Sequence, residues 1–131
     1  MTYENPYINS TTWSELNILE TLRKRNPLVI CITNDVVRTF TANGLLAIGV
    51  SPVMSECSED LKDLIVHASA LLINIGTVTP EKVNYYKEAI TLAKAHEVPI
   101  VLDPVGCHAG AYRLSVVLDL IKTDAISLLR G

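Results

Sequence analysis

Short, continuous apolar runs recur along the chain, and they predict the strands of a sheet that is buried on both faces. Their residues do not alternate with polar ones, as they would in a strand with one exposed face. We predict strands in five segments, of which the second is short and rests on the extended backbone that Pro52 imposes before it: LVICI (28–32), SPVM (51–54), ALLINIG (70–76), VPIVLD (98–103) and AISLL (125–129).

The segments between these runs repeat their apolar residues at intervals of three and four, which is typical of amphipathic helices. In chain order, the predicted helices cover residues 13–25, residues 36–48, a segment that begins at Ser58, residues 79–96 and residues 111–121.

Capping residues mark several of the predicted helix ends. Thr12 and Glu15 have the spacing of a capping box, and Ser58 is expected to cap the third helix. The segment TPE (79–81) combines a cap, a proline at the first position and an acid in the first turn. Gly49 fits the position just after the end of the second helix.

The alternation of helices and continuously apolar strands predicts an α/β fold with a doubly wound, mostly parallel sheet covered by helices. Connections between such strands are expected to be right-handed crossovers. The length of 131 residues fits one domain, with residues 1–11 as a loose arm.

Composition narrows the possible functions. Hydrophobic residues make up 49% of the chain and charged residues 19%, with a net charge of −3. No basic stripe suits a nucleic acid, and the cluster at residues 23–25 fits the last turn of a helix. The most apolar stretch, residues 64–75, is interrupted by polar side chains, so we expect no membrane span.

The three cysteines, Cys31, Cys57 and Cys107, form neither a disulfide framework nor a zinc-binding pattern. Unpaired thiols are typical of a reducing compartment, and the first ten residues lack the apolar core of a signal peptide. We therefore expect a cytoplasmic protein.

Polar residues follow four of the predicted strands, where ligands of parallel α/β proteins collect. These clusters are Thr33-Asn34, Asn74-Ile75-Gly76-Thr77, Asp103-Pro104-Val105-Gly106 and Arg130-Gly131. Any one of them could serve a plain turn, but four together predict a site at this edge of the sheet.

Three of the candidates have two interpretations each. Asp103 could hold Mg²⁺ or form a turn before Pro104. Asn34 could face a ligand or cap the second helix. Met54 could fill a gap in the core or form one apolar wall of a small-molecule pocket.

The loop after the fourth strand has glycines that could bring backbone amides close to an anion, namely Gly106 and Gly110. It is not a Walker loop, because the required lysine is missing. Neighbouring Cys107 and His108 do not indicate a nucleophile and its base, since adjacent side chains point apart.

Four segments together resemble the hydroxyethylthiazole kinase family of the ribokinase-like group, over Pro27 to Gly131. They are CITNDVVRTFTANGLLAIGVSPVMSE, ALLINIGTVTPE, VPIVLDPVGCHAGAYR and AISLLRG. The resemblance implies phosphorylation of the primary alcohol of 4-methyl-5-(2-hydroxyethyl)thiazole by Mg-ATP in thiamine biosynthesis or salvage. It also implies a homotrimer whose active sites lie at subunit boundaries.

The matching positions imply roles for individual residues. Asn34 and Met54 match positions around the thiazole, and Asp103 matches a position near the metal and the phosphates. Arg130 matches an ATP-binding arginine, and Gly106 belongs to the loop on the phosphate side.

The chain departs from the family pattern at two places. Cys107-His108 replaces the small residues that are usual after DPVG, and Asp35 replaces an apolar or aromatic residue. The family's anion hole and the residue beside the reacting alcohol come after the final RG. We therefore expect no catalytic residue within these 131 residues, and no measurable kinase activity from them alone.

Two alternative functions remain. The chain could be a truncated, non-catalytic module for thiazole binding or assembly, or it could belong to a related kinase of another small alcohol. An apolar edge at the last strand would favour pairing with another chain.

Overall fold

The computed structural model describes residues 10–131, with side chains from residue 17 onward. Its five strands form one parallel sheet in the order β2-β1-β3-β4-β5. The strands are β1 (Leu28–Ile32), β2 (Ser51–Met54), β3 (Ala70–Asn74), β4 (Ile100–Asp103) and β5 (Leu128–Leu129). The predicted α/β class with a parallel sheet is confirmed.

Five helices connect and flank these strands. They are α1 (Ser10–Arg25), α2 (Arg38–Ala47), α3 (Ser58–Ile65), α4 (Pro80–Ala95) and α5 (Ala111–Ile121), with a short 3₁₀ turn at Cys107–Ala109. None of the helices in the described part of the chain is long and apolar enough to span a bilayer.

The main core lies on one face of the sheet. The parallel register places Ile30 beside Leu71 and Leu71 beside Ile100, so these side chains share a face. They pack with buried residues of α3, α4 and α5: Leu61, Ile65, Tyr86, Ala89, Ile90, Ala93, Val116, Val117 and Leu120. The opposite face carries Cys31 and Met54, which are paired across β1 and β2.

Two predicted helix ends are confirmed in detail. The Thr79 hydroxyl accepts a hydrogen bond from the Lys82 amide at 3.2 Å, and Pro80 is the first residue of α4. Gly49 follows α2 with φ of +92°, a left-handed conformation that suits glycine. The amides of Gly49 and Val50 then close the helix on the carbonyls of its last turn.

Other expectations need correction. Ser58 does not cap α3: the preceding Cys57 occupies the cap position, and the Ser58 hydroxyl donates to Glu88 at 2.5 Å. β5 is only two residues long, because residues 125–127 approach β4 without full strand pairing. α1 begins at Ser10, inside the predicted arm. Residues 1–9 lie outside what is described, as do the side chains of Thr12 and Glu15, on which the predicted capping box depends.

Candidate active site

A chain of side-chain hydrogen bonds joins the carboxyl ends of four strands. The Asn34 amide nitrogen donates to Asn74 Oδ1 at 2.7 Å, and Asn74 Nδ2 donates to Asp103 Oδ2 at 2.9 Å. Arg130 Nη1 donates to the same carboxylate oxygen at 2.7 Å. The four predicted strand-end clusters therefore contribute to one continuous polar network.

The ends of this network differ in exposure. Asn34 and Asn74 are each 6% exposed, whereas the Arg130 side chain is 72% exposed and the Asp103 side chain 12%. Asp103 therefore meets one buried amide donor, Asn74, on one side and a solvent-facing cation on the other. These two hydrogen bonds to Oδ2 hold the carboxylate in a fixed orientation.

The predicted helix cap is wrong for Asn34: Val37 occupies the cap position of α2 without a side-chain hydrogen bond, and Asn34 caps the turn before the helix instead. Its Oδ1 accepts from the amides of Val36 and Val37 at 2.9 and 3.1 Å, which stabilises the turn before α2. Its amide nitrogen is left to bond Asn74, so both halves of the side chain have protein partners.

Gly76 makes the approach of Asn34 possible. A Cβ atom at this position would lie 2.5 to 2.8 Å from atoms of the Asn34 side chain. The Gly76 amide donates to Asn74 Oδ1 at 2.9 Å, and its carbonyl accepts from Arg113 Nη2 at 2.8 Å. The loop after β3 is thus held by the side chain of α5 as well as by Asn74.

Beside this network, a cavity of about 170 Å³ opens at the ends of β1 and β2. Its buried wall includes Cys31, Ile32, Thr33 and Ser55, and Met54 lines it next to Cys31. An apolar protein cavity of about 150 Å³ is sufficient for benzene, so this one is of a size for a single small ring.

The polar side of the cavity is formed by α4 and the end of β2. Tyr85 and Ser55 share a hydrogen bond of 2.7 Å between their hydroxyls, and the Tyr85 hydroxyl also donates to the Cys57 carbonyl at 3.3 Å. Burial raises the pKa of Tyr85 and raises that of the Cys31 thiol to about 11. Both groups therefore stay neutral at physiological pH.

Charged side chains surround the mouth of the cavity. Arg38 bridges Asp35 and Glu56, and Lys82 lies 3.5 Å from Asp35. The hydrogen bond between Arg38 and Glu56 raises the pKa of Arg38 and lowers that of Glu56. Asp35 thus joins the start of α2 to the start of α4.

The sequence-predicted residues occupy two adjoining regions. Met54 lines the cavity, while Asn34, Asp103 and Arg130 belong to the hydrogen-bonded network. Gly106 follows β4 with φ of +69°, the left-handed conformation, and a Cβ there would meet no atom closer than 3.7 Å. No cluster of three or more His, Cys, Asp or Glu side chains suits a metal among the residues described.

Sequence reasoning missed several side chains at this edge. Arg113, Tyr85 and Lys82 lie on helices, where their spacing resembles that of ordinary exposed or core positions. Only their partners reveal them: a loop carbonyl for Arg113, a serine for Tyr85 and Thr77 for Lys82. Such long-range contacts leave no local signal in one sequence.

An open parallel sheet with a polar network and a small cavity at its carboxyl edge defines an α/β protein of the class in which ligands commonly bind at the strand ends. Comparison with known families makes the assignment specific. The model of the hydroxyethylthiazole kinase family matches residues 19–131, and the chain belongs to this family.

Individual relatives agree with this assignment. The chain is 62% identical over 113 residues to hydroxyethylthiazole kinase of Streptococcus agalactiae serotype III (strain NEM316), and 59% identical over 113 residues to that of Streptococcus suis (strain 05ZYH33). Each match covers 86% of this chain and 44% or 43% of the relative. The chain therefore spans less than half the length of these curated relatives.

A solved structure shares the fold. The hydroxyethylthiazole kinase protein from Pyrococcus horikoshii OT3 matches with a TM-score of 0.84 and 42% identity. The match covers 88% of this chain and 45% of that structure's chain. At this level of identity, the agreement extends to the family as well as to the fold.

Proposed function

We propose that this chain forms the acceptor side of a hydroxyethylthiazole kinase site, at which the γ-phosphate of ATP passes to the hydroxyl of 4-methyl-5-(2-hydroxyethyl)thiazole. One observation carries the proposal: a one-ring cavity lined by Met54 adjoins the network that ends in Asp103 and Arg130. Family membership supplies the identity of the reaction.

The thiazole ring would occupy the cavity. Met54 and Cys31 offer a polarizable apolar wall on one face of the sheet. Asn34 supports this end of the sheet through Asn74, and both of its polar atoms already have protein partners. Its role in substrate binding is therefore to fix the shape of the strand end.

The reaction requires the alcohol oxygen to attack the γ-phosphorus in line while the bond to the ADP oxygen breaks. Positioning and neutralisation of charge lower the barrier, and the protein contributes little covalent chemistry. Arg130 is suited to phosphate oxygens because its guanidinium is planar and largely exposed. The Gly106 loop, in its left-handed conformation, would lie on the same phosphate side.

Magnesium fits the chemistry of this edge through Asp103. Mg²⁺ commonly uses one or two carboxylates and completes its shell with water and substrate phosphates. Asp103 is a buried carboxylate at a strand end, with Oδ2 engaged by Asn74 and Arg130. It is the residue that would hold the ion, which supplies neutralisation of phosphate charge when bound.

An oligomer, and by family resemblance a trimer, is part of the proposal. None of the ten residues of α2 is buried among the described residues. Phe40 is 81% exposed and Val36, just before the helix, 85%. A second copy of the chain would cover this apolar surface beside the cavity mouth, where Arg38 also lies.

A cytoplasmic location is also proposed. The thiols of Cys31, Cys57 and Cys107 are all unpaired in the structure, as expected in a reducing compartment. Dependence on ATP as co-substrate agrees with that location.

Calorimetric titration with the thiazole alcohol tests the substrate. We expect binding by the unaltered protein, and about tenfold weaker binding by Met54→Ala because an apolar wall of the cavity is lost. Leu118→Ala, on an exposed part of α5, is the control and should bind like the unaltered protein. Preference for a pyrimidine or pyridoxal alcohol would instead support a related small-alcohol kinase.

Light scattering tests the assembly. We expect the unaltered protein to be larger than a monomer and Phe40→Lys to shift it towards monomer, because a charge would be introduced into the interface. Leu118→Lys is the matched control, since Leu118 is also exposed but lies on α5. A monomer for the unaltered protein at high concentration would contradict the proposal.

A further inference from the structure

Thr33 differs from the other polar residues of the cavity. Ser55 and Tyr85 bond each other, Arg38 bonds Glu56, and Lys82 donates to Thr77 at 2.8 Å. Thr33 is 8% exposed, and its buried hydroxyl has no hydrogen-bond partner. It is the sole buried side-chain oxygen or nitrogen of that kind in the part of the chain that the structure describes.

An unpaired buried hydroxyl is costly, because it gives up its bonds to water without replacing them. Thr33 also forms part of the cavity wall, directly after β1. The hydroxyl oxygen is itself buried as the side chain stands, so a bond to a molecule in the cavity requires rotation to another staggered position. The Thr33 hydroxyl therefore keeps its hydrogen-bonding capacity for a ligand.

We propose that Thr33 is a specificity-determining residue whose hydroxyl donates a hydrogen bond to the ring nitrogen of the heterocycle in this cavity. This inference rests on the proposed thiazole kinase function and adds the residue that distinguishes a nitrogen-containing ring from a purely apolar one. A site built to bond a heteroatom rejects the analogue that lacks it, since its own polar group is then left unpaired.

The arrangement of the strands explains why the bond goes to the ring rather than to the alcohol. The cavity lies at β1 and β2, whereas Asp103 and Arg130 lie on the other side of β3, at β4 and β5. A ligand whose ring fills the cavity must direct its alcohol towards Asp103 to meet a phosphate there. With the alcohol directed away from β1, the proposal assigns the ring nitrogen as the acceptor for Thr33.

The test compares the thiazole alcohol with the thiophene in which a CH group replaces the ring nitrogen. We expect the unaltered protein to bind the thiazole about tenfold more tightly, which corresponds to about 1.4 kcal/mol. Thr33→Val keeps the shape and removes the hydroxyl, so it should lose this preference by weakening the thiazole alone. Thr33→Ser keeps the hydroxyl and should retain the preference.

A folding measurement without ligand separates this role from a structural one. Because the Thr33 hydroxyl has no partner, unliganded Thr33→Val should unfold at the same or a higher urea concentration than the unaltered protein. A lower midpoint, or an unchanged preference for the thiazole in Thr33→Val, overturns the inference while leaving the proposed function intact. If the unaltered protein binds neither ring, the proposed function fails and the inference fails with it.

Discussion

Asn34 and Asn74 lie 40 residues apart in the chain, and their buried side-chain amides are joined by a hydrogen bond of 2.7 Å. The bond fixes the orientation of both amides: Asn34 Oδ1 accepts from the backbone, so its nitrogen must donate. Asn74 Oδ1 is then the acceptor, and its nitrogen faces Asp103. The two backbone bonds to Asn34, at the end of β1, therefore determine that Asn74 presents its nitrogen to the Asp103 carboxylate at the end of β4.

Gly76→Ala should disrupt this arrangement. The added Cβ would lie within 2.8 Å of the Asn34 side chain, which is held by three hydrogen bonds and cannot move freely. We expect a loss of about 1–3 kcal/mol in the free energy of unfolding, measured in urea. Gly44→Ala is the control: no atom lies within 4 Å, and the change should stabilise α2 by about 0.5–1 kcal/mol. Equal stability of the two variants would contradict the close contact.

Asn74→Asp should destabilise the protein in a pH-dependent way. It replaces the donor that lies 2.9 Å from Asp103 Oδ2 with a second carboxylate. Repulsion would raise the pKa of the pair above that of the unfolded chain, so stability is lost as pH rises and regained as pH falls.

At pH 7, we expect a loss of about 2–4 kcal/mol, and a smaller loss at pH 5. Asn84→Asp, at an exposed position of α4, should change stability by less than about 0.5 kcal/mol at either pH. A loss for Asn74→Asp that is the same at both pH values would indicate that the charges do not interact.

These strand-end residues show how far one sequence can specify a site. A continuous apolar run predicted β1 at its observed bounds, and the extended backbone that precedes Pro52 predicted β2 at its own. The same topology brings strand ends together, so the polar residues that follow the strands could be predicted as a group. Their hydrogen-bond partners could not be predicted, because Asn34 could cap a helix or face a ligand, and its bond to Asn74, 40 residues away, depends on the fold.

The errors have a similar origin. Ser58 has the right residue type for a cap, but its hydroxyl donates a hydrogen bond to Glu88, 30 residues away on α4. β5 has an apolar sequence, but only Leu128 and Leu129 pair with β4, and both are at least half exposed. For Ser58, a contact with a distant residue overrides the local preference for a cap. For β5, the lack of further pairing with β4 overrides the local preference for a strand.

Removal of Asp103 should destabilise the protein more than removal of Arg130, its partner in the ion pair. Arg130→Ala removes a largely exposed partner, so we expect a loss below about 1 kcal/mol. Asp103→Ala leaves the buried Asn74 Nδ2 without its acceptor, and we expect a loss of about 1–3 kcal/mol. Urea unfolding of both variants at the same pH measures the difference. An Arg130→Ala loss as large as that of Asp103→Ala would mean that the salt bridge itself dominates.

Cys31 should make the folded state sensitive to alkaline pH. Its thiol is 1% exposed, and burial raises its pKa from 9.0 to about 11. Between these values, the folded chain holds the thiol proton more firmly than the unfolded chain does. The folded state therefore binds more protons, and the free energy of unfolding must fall as pH rises through this window.

Urea unfolding at pH 8, 9 and 10 measures this effect below the range in which Tyr86, with a pKa raised from 10.0 to about 12, adds its own contribution. Cys31→Ala should be less stable at every pH because of the cavity it leaves, but its stability should fall less between pH 9 and 10. Cys57→Ala, at an exposed thiol, should keep the decline of the unaltered protein. The comparison rests on the slope of the free energy of unfolding against pH, because the space left by Cys31→Ala lowers this free energy by the same amount at every pH. An equally steep decline in Cys31→Ala would mean that another group loses its proton on unfolding, and that the thiol in the cavity wall is not held neutral by burial.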